Sequence, residues 1–299
     1  MTSASMSTAS APDGYARPAS IEERSNRYFV HPVSNFVAKI AVRVGVTANQ
    51  LSVAGLISGW VAAGLYFYQP DRVAVGAAFI AMVFWHVFDG ADGRVARATG
   101  TCSAFGRVID GICDHLVFAA VYVSLTLSMI KAGAPLSVWF VVIGAGVSHA
   151  IQAAAYEERR QRFQRRSNGH KRSVTNENLL HINGRQSFFA VGYDWIQRLA
   201  SGAAGQLDEA LEKLRKSDAS LSVIQSAVNQ TALLVRQWSI LNANNRTLLI
   251  AVAAFFGQPI LYFAYELIVL NAVLVALIIH ERRVEAVIVS DILPLSGER

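Results

Sequence analysis

Asp89, Asp92, Asp110 and Asp114 stand in one stretch, DGADGRVARATGTCSAFGRVIDGICD, of a chain that is otherwise strongly apolar. Asp89 and Asp92 are three residues apart, and Asp110 and Asp114 are four apart. On helices, both spacings put the two carboxylates of a pair on one face. Apolar runs precede the first pair and follow the second, which predicts two adjacent helices with opposed acid faces. Carboxylates gathered this closely repel one another, and removing them from water is costly. A cation between them relieves both costs. Oxygen-only ligands suit Mg²⁺ or Mn²⁺, and several carboxylates in one site suit two such ions. Gly90, Gly93, Gly106 and Gly111 let backbone or a bulky phosphate approach. Arg97 adds a planar fork of the kind that holds phosphate.

Composition sets the medium. Only 16% of the residues are charged and 53% are hydrophobic, where a soluble domain is about one-quarter charged. The chain therefore reads as an all-α, polytopic membrane protein. Two cysteines, Cys102 and Cys113, make neither a disulfide framework nor a zinc site. Residues 1–20 are rich in Ser, Ala and Thr and lack a hydrophobic signal core, which predicts a disordered tail.

The expected layout is six membrane-spanning helices with an N-terminal interfacial helix and a helical insertion. Residues 21–172 hold the interfacial helix and the first four spans, 173–236 the insertion, 237–283 spans five and six, and 284–299 a C-terminal tail. The first span, Leu51–Tyr68, has Gly55 and Gly59 at a G-x-x-x-G spacing that permits close helix contact. The second runs from Val73 into the acid stretch, and the third carries Asp110 and Asp114 in its first turns. Thr247–Phe256 alone rises only ~15 Å against a hydrocarbon core of ~30 Å. The fifth span therefore reaches back toward Gln237 and turns into the sixth at Gly257–Pro259. Residues 157–172 carry seven Lys or Arg, whereas the opposite-side loops carry Arg72 and Lys131. By the positive-inside rule the basic side, and with it the acid stretch, faces the cytosol. The expected setting is a bacterial inner (plasma) membrane. His86, His149, Gln152 and Glu266 are polar within spans; His86 reads either as functional or as a packed or interfacial residue, and the other three either as functional or as a bond between helices.

Asp89-x2-Asp92-Gly93-x2-Ala96-Arg97-x8-Gly106-x3-Asp110-x3-Asp114 resembles, at every fixed position, the signature of the CDP-alcohol phosphotransferases. The doubled Asp-Gly leaves no ambiguity of register, because only Asp92-Gly93 is followed at the right distance by Ala96 and Arg97. The resemblance implies transfer of a substituted phosphoryl group (EC 2.7.8 type) from a CDP-linked lipid donor, such as CDP-diacylglycerol, to an alcohol acceptor, releasing CMP. It also implies two Mg²⁺ or Mn²⁺ ions, with Asp89, Asp92, Asp110 and Asp114 as metal ligands. Asp114 takes the role of proton acceptor. Gly93, Arg97 and Ser103 match positions that hold the CDP portion. Asn49 matches a turn near the nucleotide, with Ala48 where the family usually has Pro. Arg246, at the start of the fifth span, is a candidate acceptor contact. Membrane lipids and a second copy of the chain, as a homodimer, are the expected partners, with no nucleic acid.

Two other readings use similar residues. An intramembrane prenyltransferase also sets Asp-rich motifs and Mg²⁺ against a diphosphate, but its motifs lie far apart in sequence and lack the Gly-x2-Ala-Arg element. A cation or proton transporter places acids near mid-membrane in two repeated halves, and no repeat is visible here.

Overall fold

The computed structural model describes residues 20–102, 104–168, 181–182, 185–186, 205–217 and 221–296; of residues 104–112 it describes the helical backbone alone. The expected disordered tail, Ser103 and most of the insertion between 169 and 204 lie outside the described residues. The architecture is helical, with one two-residue antiparallel pair, His181–Ile182 against Arg185–Gln186.

A π-turn, Asn26–Val30, leads into α1 (His31–Val44), which Gly45 ends in a left-handed conformation. Exposed Tyr28, Phe29, Phe36 and Ile40 line this segment, as an interfacial helix requires. α2 (Ala48–Tyr66) opens with a capping box: the Thr47 hydroxyl accepts the Gln50 N–H, and the Gln50 side chain accepts the Thr47 N–H at 2.9 Å. α3 (Arg72–Ala98) is capped by Asp71, which accepts from the Ala74 N–H at 2.8 Å. α4 (Ala104–Lys131) and α5 (Val138–Asn168) follow. α6 (Gly205–Lys216) and α7 (Leu221–Trp238) form the described part of the insertion. α8 (Ala243–Phe255) is capped by Asn242 and ended by Gly257, again left-handed at φ 67°. α9 (Pro259–Ala264), a π-turn at Tyr265–Val269 and α10 (Leu270–Ile292) form one continuous helix. This helix runs past residue 283, the expected end of the sixth span, into the expected tail.

Among the described residues, four helices are long and apolar enough to cross a membrane: α3, α4 from Cys113 onward, α5, and the helix Pro259–Ile292. The expected count was six. α2 has the length at 19 residues, but Asn49, Gln50, Ser52 and Ser58 dilute it, and α8 has only 13 residues. Both nevertheless turn an apolar stripe outward. On α2 it is Val53, Ile57, Trp60 and Val61; on α8 it is Leu248, Val252, Phe255 and Phe256.

Four clusters of buried apolar side chains organise the described helices, and the two largest join most of them. The larger, with Ala62, Tyr66, Met82, Trp85, Val117, Leu125, Ile250 and Phe263, joins α2, α3, α4, α8 and α9. α2 is the wedge between the acid-bearing helices. A Cβ at Gly59 would sit 2.5 Å from both Val117 methyls of α4, and one at Gly55 would sit 3.4 Å from Phe88 of α3. The second core packs Phe163 of α5, Leu207, Leu211 and Leu214 of α6, Val228 and Val235 of α7, Ile288 of α10, and Ile21.

The helix α5 continues through the basic run to Asn168. Arg159, Arg162 and Arg166 fall on its inner face, at 3%, 4% and 6% exposure. Arg166 donates to Asp208 at 2.6 Å and to Glu285 at 2.7 Å, and Arg159 to Glu281 at 3.1 Å. The basic run is therefore half inward. Its i, i+3, i+7 arginines knit α5 to α6 and α10.

Candidate active site

The last turns of α3 carry Asp89 and Asp92. Asp92 is 6% exposed. One of its oxygens accepts the Ser52 hydroxyl of α2 at 2.5 Å, and the other accepts the N–H of Gly93. Arg97 lies back over Gly93: a Cβ there would stand 3.3 Å from one guanidinium nitrogen. Arg94 donates to the Gly90 carbonyl. At Gly90, α1 packs closely on α3. Ser34 donates to the Val87 carbonyl at 2.9 Å, and a Cβ at residue 90 would meet its oxygen at 2.6 Å. α3 closes in a Schellman turn: Thr101 N–H bonds Ala96 O at 2.8 Å and Gly100, at φ 68°, bonds Arg97 O.

One aromatic contact relates Asp114 to the end of α3 that carries Asp89. Trp85 of α3 and Phe118 of α4 meet edge-on with ring centroids 5.4 Å apart. The helices run antiparallel. Asp89, four residues after Trp85, and Asp114, four before Phe118, therefore both lie one turn, ~6 Å, beyond that contact in the same direction. Asp114 is half-buried. Position 110 lies one further turn along α4; its side chain, like Ser103, is outside the described residues. No group of three ligating side chains is closed among the described residues. The donor chemistry fits Mg²⁺ or Mn²⁺ as far as it is described: oxygen ligands only, with two neighbouring carboxylates on one helix face, one of them buried.

The other predicted positions divide. Asn49 is exposed on the first turn of α2, three residues before Ser52 and so on its face. His86 is buried and bonds Thr247 of α8 at 2.9 Å, which makes it a tie between helices.

Arg246, expected at the acceptor, is 1% exposed with its donors committed. Nε reaches Glu266 at 3.2 Å, one terminal nitrogen reaches Gln152 at 2.6 Å, and the other bonds the Leu241 carbonyl. Tyr262 donates to Glu266 at 2.9 Å and shares a 2.7 Å bond with Tyr122, which bonds His149 at 3.0 Å. Gln152 donates to Asn271 at 2.9 Å, and Asn271 to Ser148 at 2.9 Å. His149, Gln152 and Glu266 thus hold helices together, the structural member of each pair of readings. The acceptor role of Arg246 has no described open donor behind it.

Sequence reasoning missed Ser52 and the tyrosine pair. Ser52 had one legible signal, its three-residue spacing from Asn49. Tyr122 and Tyr262 are 140 residues apart and had none.

Residues 45–175 match the family model for CDP-alcohol phosphatidyltransferase. The chain is similar to the phosphatidylinositol phosphate synthase of Mycolicibacterium smegmatis, 34% identical over 94 residues, covering 31% of this chain and 41% of that protein. It is also similar to the archaetidylinositol phosphate synthase of Pyrococcus horikoshii, 31% identical over 91 residues, covering 30% of this chain and 46% of that protein. A third relative, the phosphatidylinositol phosphate synthase of Mycobacteroides abscessus, is 28% identical over 121 residues, covering 40% and 48%. The chain thus spans less than half the length of these relatives. No solved structure matches.

Proposed function

We propose that the protein transfers a phosphatidyl group from CDP-diacylglycerol to an alcohol and releases CMP, a reading supported by the match of residues 45–175 to the CDP-alcohol phosphatidyltransferase family model. The observation that carries this reading is the eight-position signature itself, whose first five positions end α3 and whose last three fall on α4, with Trp85 and Phe118 of these two helices in edge-on contact. Neither a prenyltransferase nor a transporter requires the Gly93-x2-Ala96-Arg97 element.

Asp89, Asp92, Asp110 and Asp114 would hold two Mg²⁺ or Mn²⁺ ions. When bound, such ions neutralise a diphosphate and clamp attacking and leaving oxygens. The chain's own groups do the rest. Asp114 takes the proton from the acceptor hydroxyl. Arg97, laid over Gly93 where there is no side chain to block it, presents a fork to the donor phosphates. The family resemblance gives Ser103 a CDP-holding position and Asn49 a turn near the nucleotide.

The acceptor is an alcohol. The names of the relatives make a phosphorylated inositol the first to try. The outward stripes of α2 and α8 support six spans in all. The basic run after Tyr156 supports a cytosolic acid end in a bacterial inner membrane. The family resemblance supports a homodimer.

The test is product analysis. Purified protein with Mg²⁺ or Mn²⁺, CDP-diacylglycerol and a panel of alcohols is expected to release CMP with one acceptor class. An absence of CMP across the whole panel, from folded protein, would overturn the reading.

A further inference from the structure

We infer that Ser52 is a positioning residue that fixes the Asp92 carboxylate for cation binding, an inference resting on the two-metal reading above. Ser52 lies on α2, outside the aspartate signature. Its hydroxyl is 2.5 Å from Asp92 and 3.2 Å from the Ala48 carbonyl. A hydroxyl has one hydrogen, and the shorter contact to a charged acceptor takes it. Asp92 is buried, so its orientation is set by its partners rather than averaged by water. Ser52 holds one oxygen and the Gly93 N–H holds the other. A carboxylate offers about four lone-pair directions. The two that remain face away from Ser52 and Gly93.

The scaffold gives this bond its reach. Ser52 lies one turn before Gly55, where α2 approaches α3, and two turns before Gly59, where α2 approaches α4. The helix that orients Asp92 is therefore the one that spaces the two acid-bearing helices. Donors behind a metal ligand orient it, and their loss typically costs about 10–100-fold in metal affinity.

Ser58 supplies the control. It lies on the same helix and also bonds α3, donating to the Ala81 carbonyl at 2.8 Å, but touches no carboxylate. Mn²⁺ alone is titrated into the full-length protein in detergent, without nucleotide, and bound ion is read by electron paramagnetic resonance. S52A is expected to lose about 10–100-fold in Mn²⁺ affinity. S58A, and S52T with its retained hydroxyl, are expected to bind as the wild type does. Turnover by S52A is expected to recover in part at raised Mn²⁺. Equal Mn²⁺ affinity in S52A and wild type overturns the inference, as does S52T behaving like S52A. Wild-type protein that binds no Mn²⁺ would instead overturn the metal reading beneath it.

Discussion

Two groups of charged side chains lie among these helices, and they are built on opposite principles. At the ends of α3 and α4, the acids stand together with glycines around them. Asp89 and Asp92 share a face, and the described bonds to Asp92 come from a neutral hydroxyl and a backbone N–H. Deeper between α5, α8 and α9–α10, Arg246 and Glu266 are 1% and 0% exposed and neutralise each other. Gln152, Tyr262, Tyr122 and Asn271 satisfy what remains. Two acids on one helix face, one of them buried, leave room for a cation. A balanced pair with satisfied neighbours holds helices. Charge within a membrane segment is therefore weighed by what surrounds it, not by its position in the sequence.

The sharpest way to break the comparison is at Asp114. D114N keeps size and hydrogen-bonding capacity but cannot accept the acceptor's proton. Turnover is expected to fall by about 10²–10⁴-fold while CDP-lipid binding persists. Equilibrium binding of CDP-diacylglycerol beside single-turnover CMP release separates the two. If nucleotide binding is lost with metal retained, Asp114 belongs to donor recognition instead.

The balanced pair predicts the reverse pattern. E266Q leaves Arg246 charged and buried, which is expected to cost about 3–5 kcal/mol of stability. The double variant R246M/E266L removes both charges and is expected to recover most of that loss. Denaturant unfolding in micelles reads both. Should E266Q instead fold normally and lose discrimination among acceptors, Arg246 regains the acceptor role that its sequence position indicates.

How far the sequence could see follows the same division. The acid stretch was legible because its chemistry is local: spacing, glycines and Arg97 all lie within two helices. The turn at Gly257–Pro259 was legible through punctuation, and the helical character of the insertion through its composition and period. The fate of the arginines after Tyr156 was not. A run of positive charge reads as solvated until Asp208, Glu281 and Glu285 arrive from distant helices. Arg246 misled for the same reason: its partner lies 20 residues away across a turn, and nothing local announces the pairing. Tyr122 and Tyr262 carry no signal that a core aromatic lacks.

α2 belongs to neither charged group, yet it sets the distance on which the first depends. G59L places new atoms where a Cβ alone already stands 2.5 Å from Val117. Overpacking is expected to cost about 1–3 kcal/mol. It is also expected to weaken Mn²⁺ binding by parting α2 from α4. G55A, with 3.4 Å to Phe88, should be far milder. V117A beside G59A tests whether space alone is the cause, since it removes the atoms that clash. If G59L leaves Mn²⁺ binding untouched, the acid-bearing helices are spaced by something other than this wedge.

The smallest effect is expected where an ion pair has neither burial nor an unbalanced charge. Lys216 and Glu212, on α6, approach to 3.0 Å, but the lysine side chain is 73% exposed. Water already stabilises both ends, and holding two long side chains in one geometry costs entropy. K216M is expected to shift stability by less than about 0.5 kcal/mol. Arg159, also basic and close in space to the same bundle, is 3% exposed. It pairs with Glu281 at 3.1 Å and stacks on Trp238 at 4.1 Å. R159M leaves Glu281 with Arg162 at 3.7 Å as its remaining described cation, so its cost must exceed that of K216M clearly. Equal costs for the two variants, read from the same denaturant midpoints, would mean that burial is not what separates the inward arginines from the outward lysines.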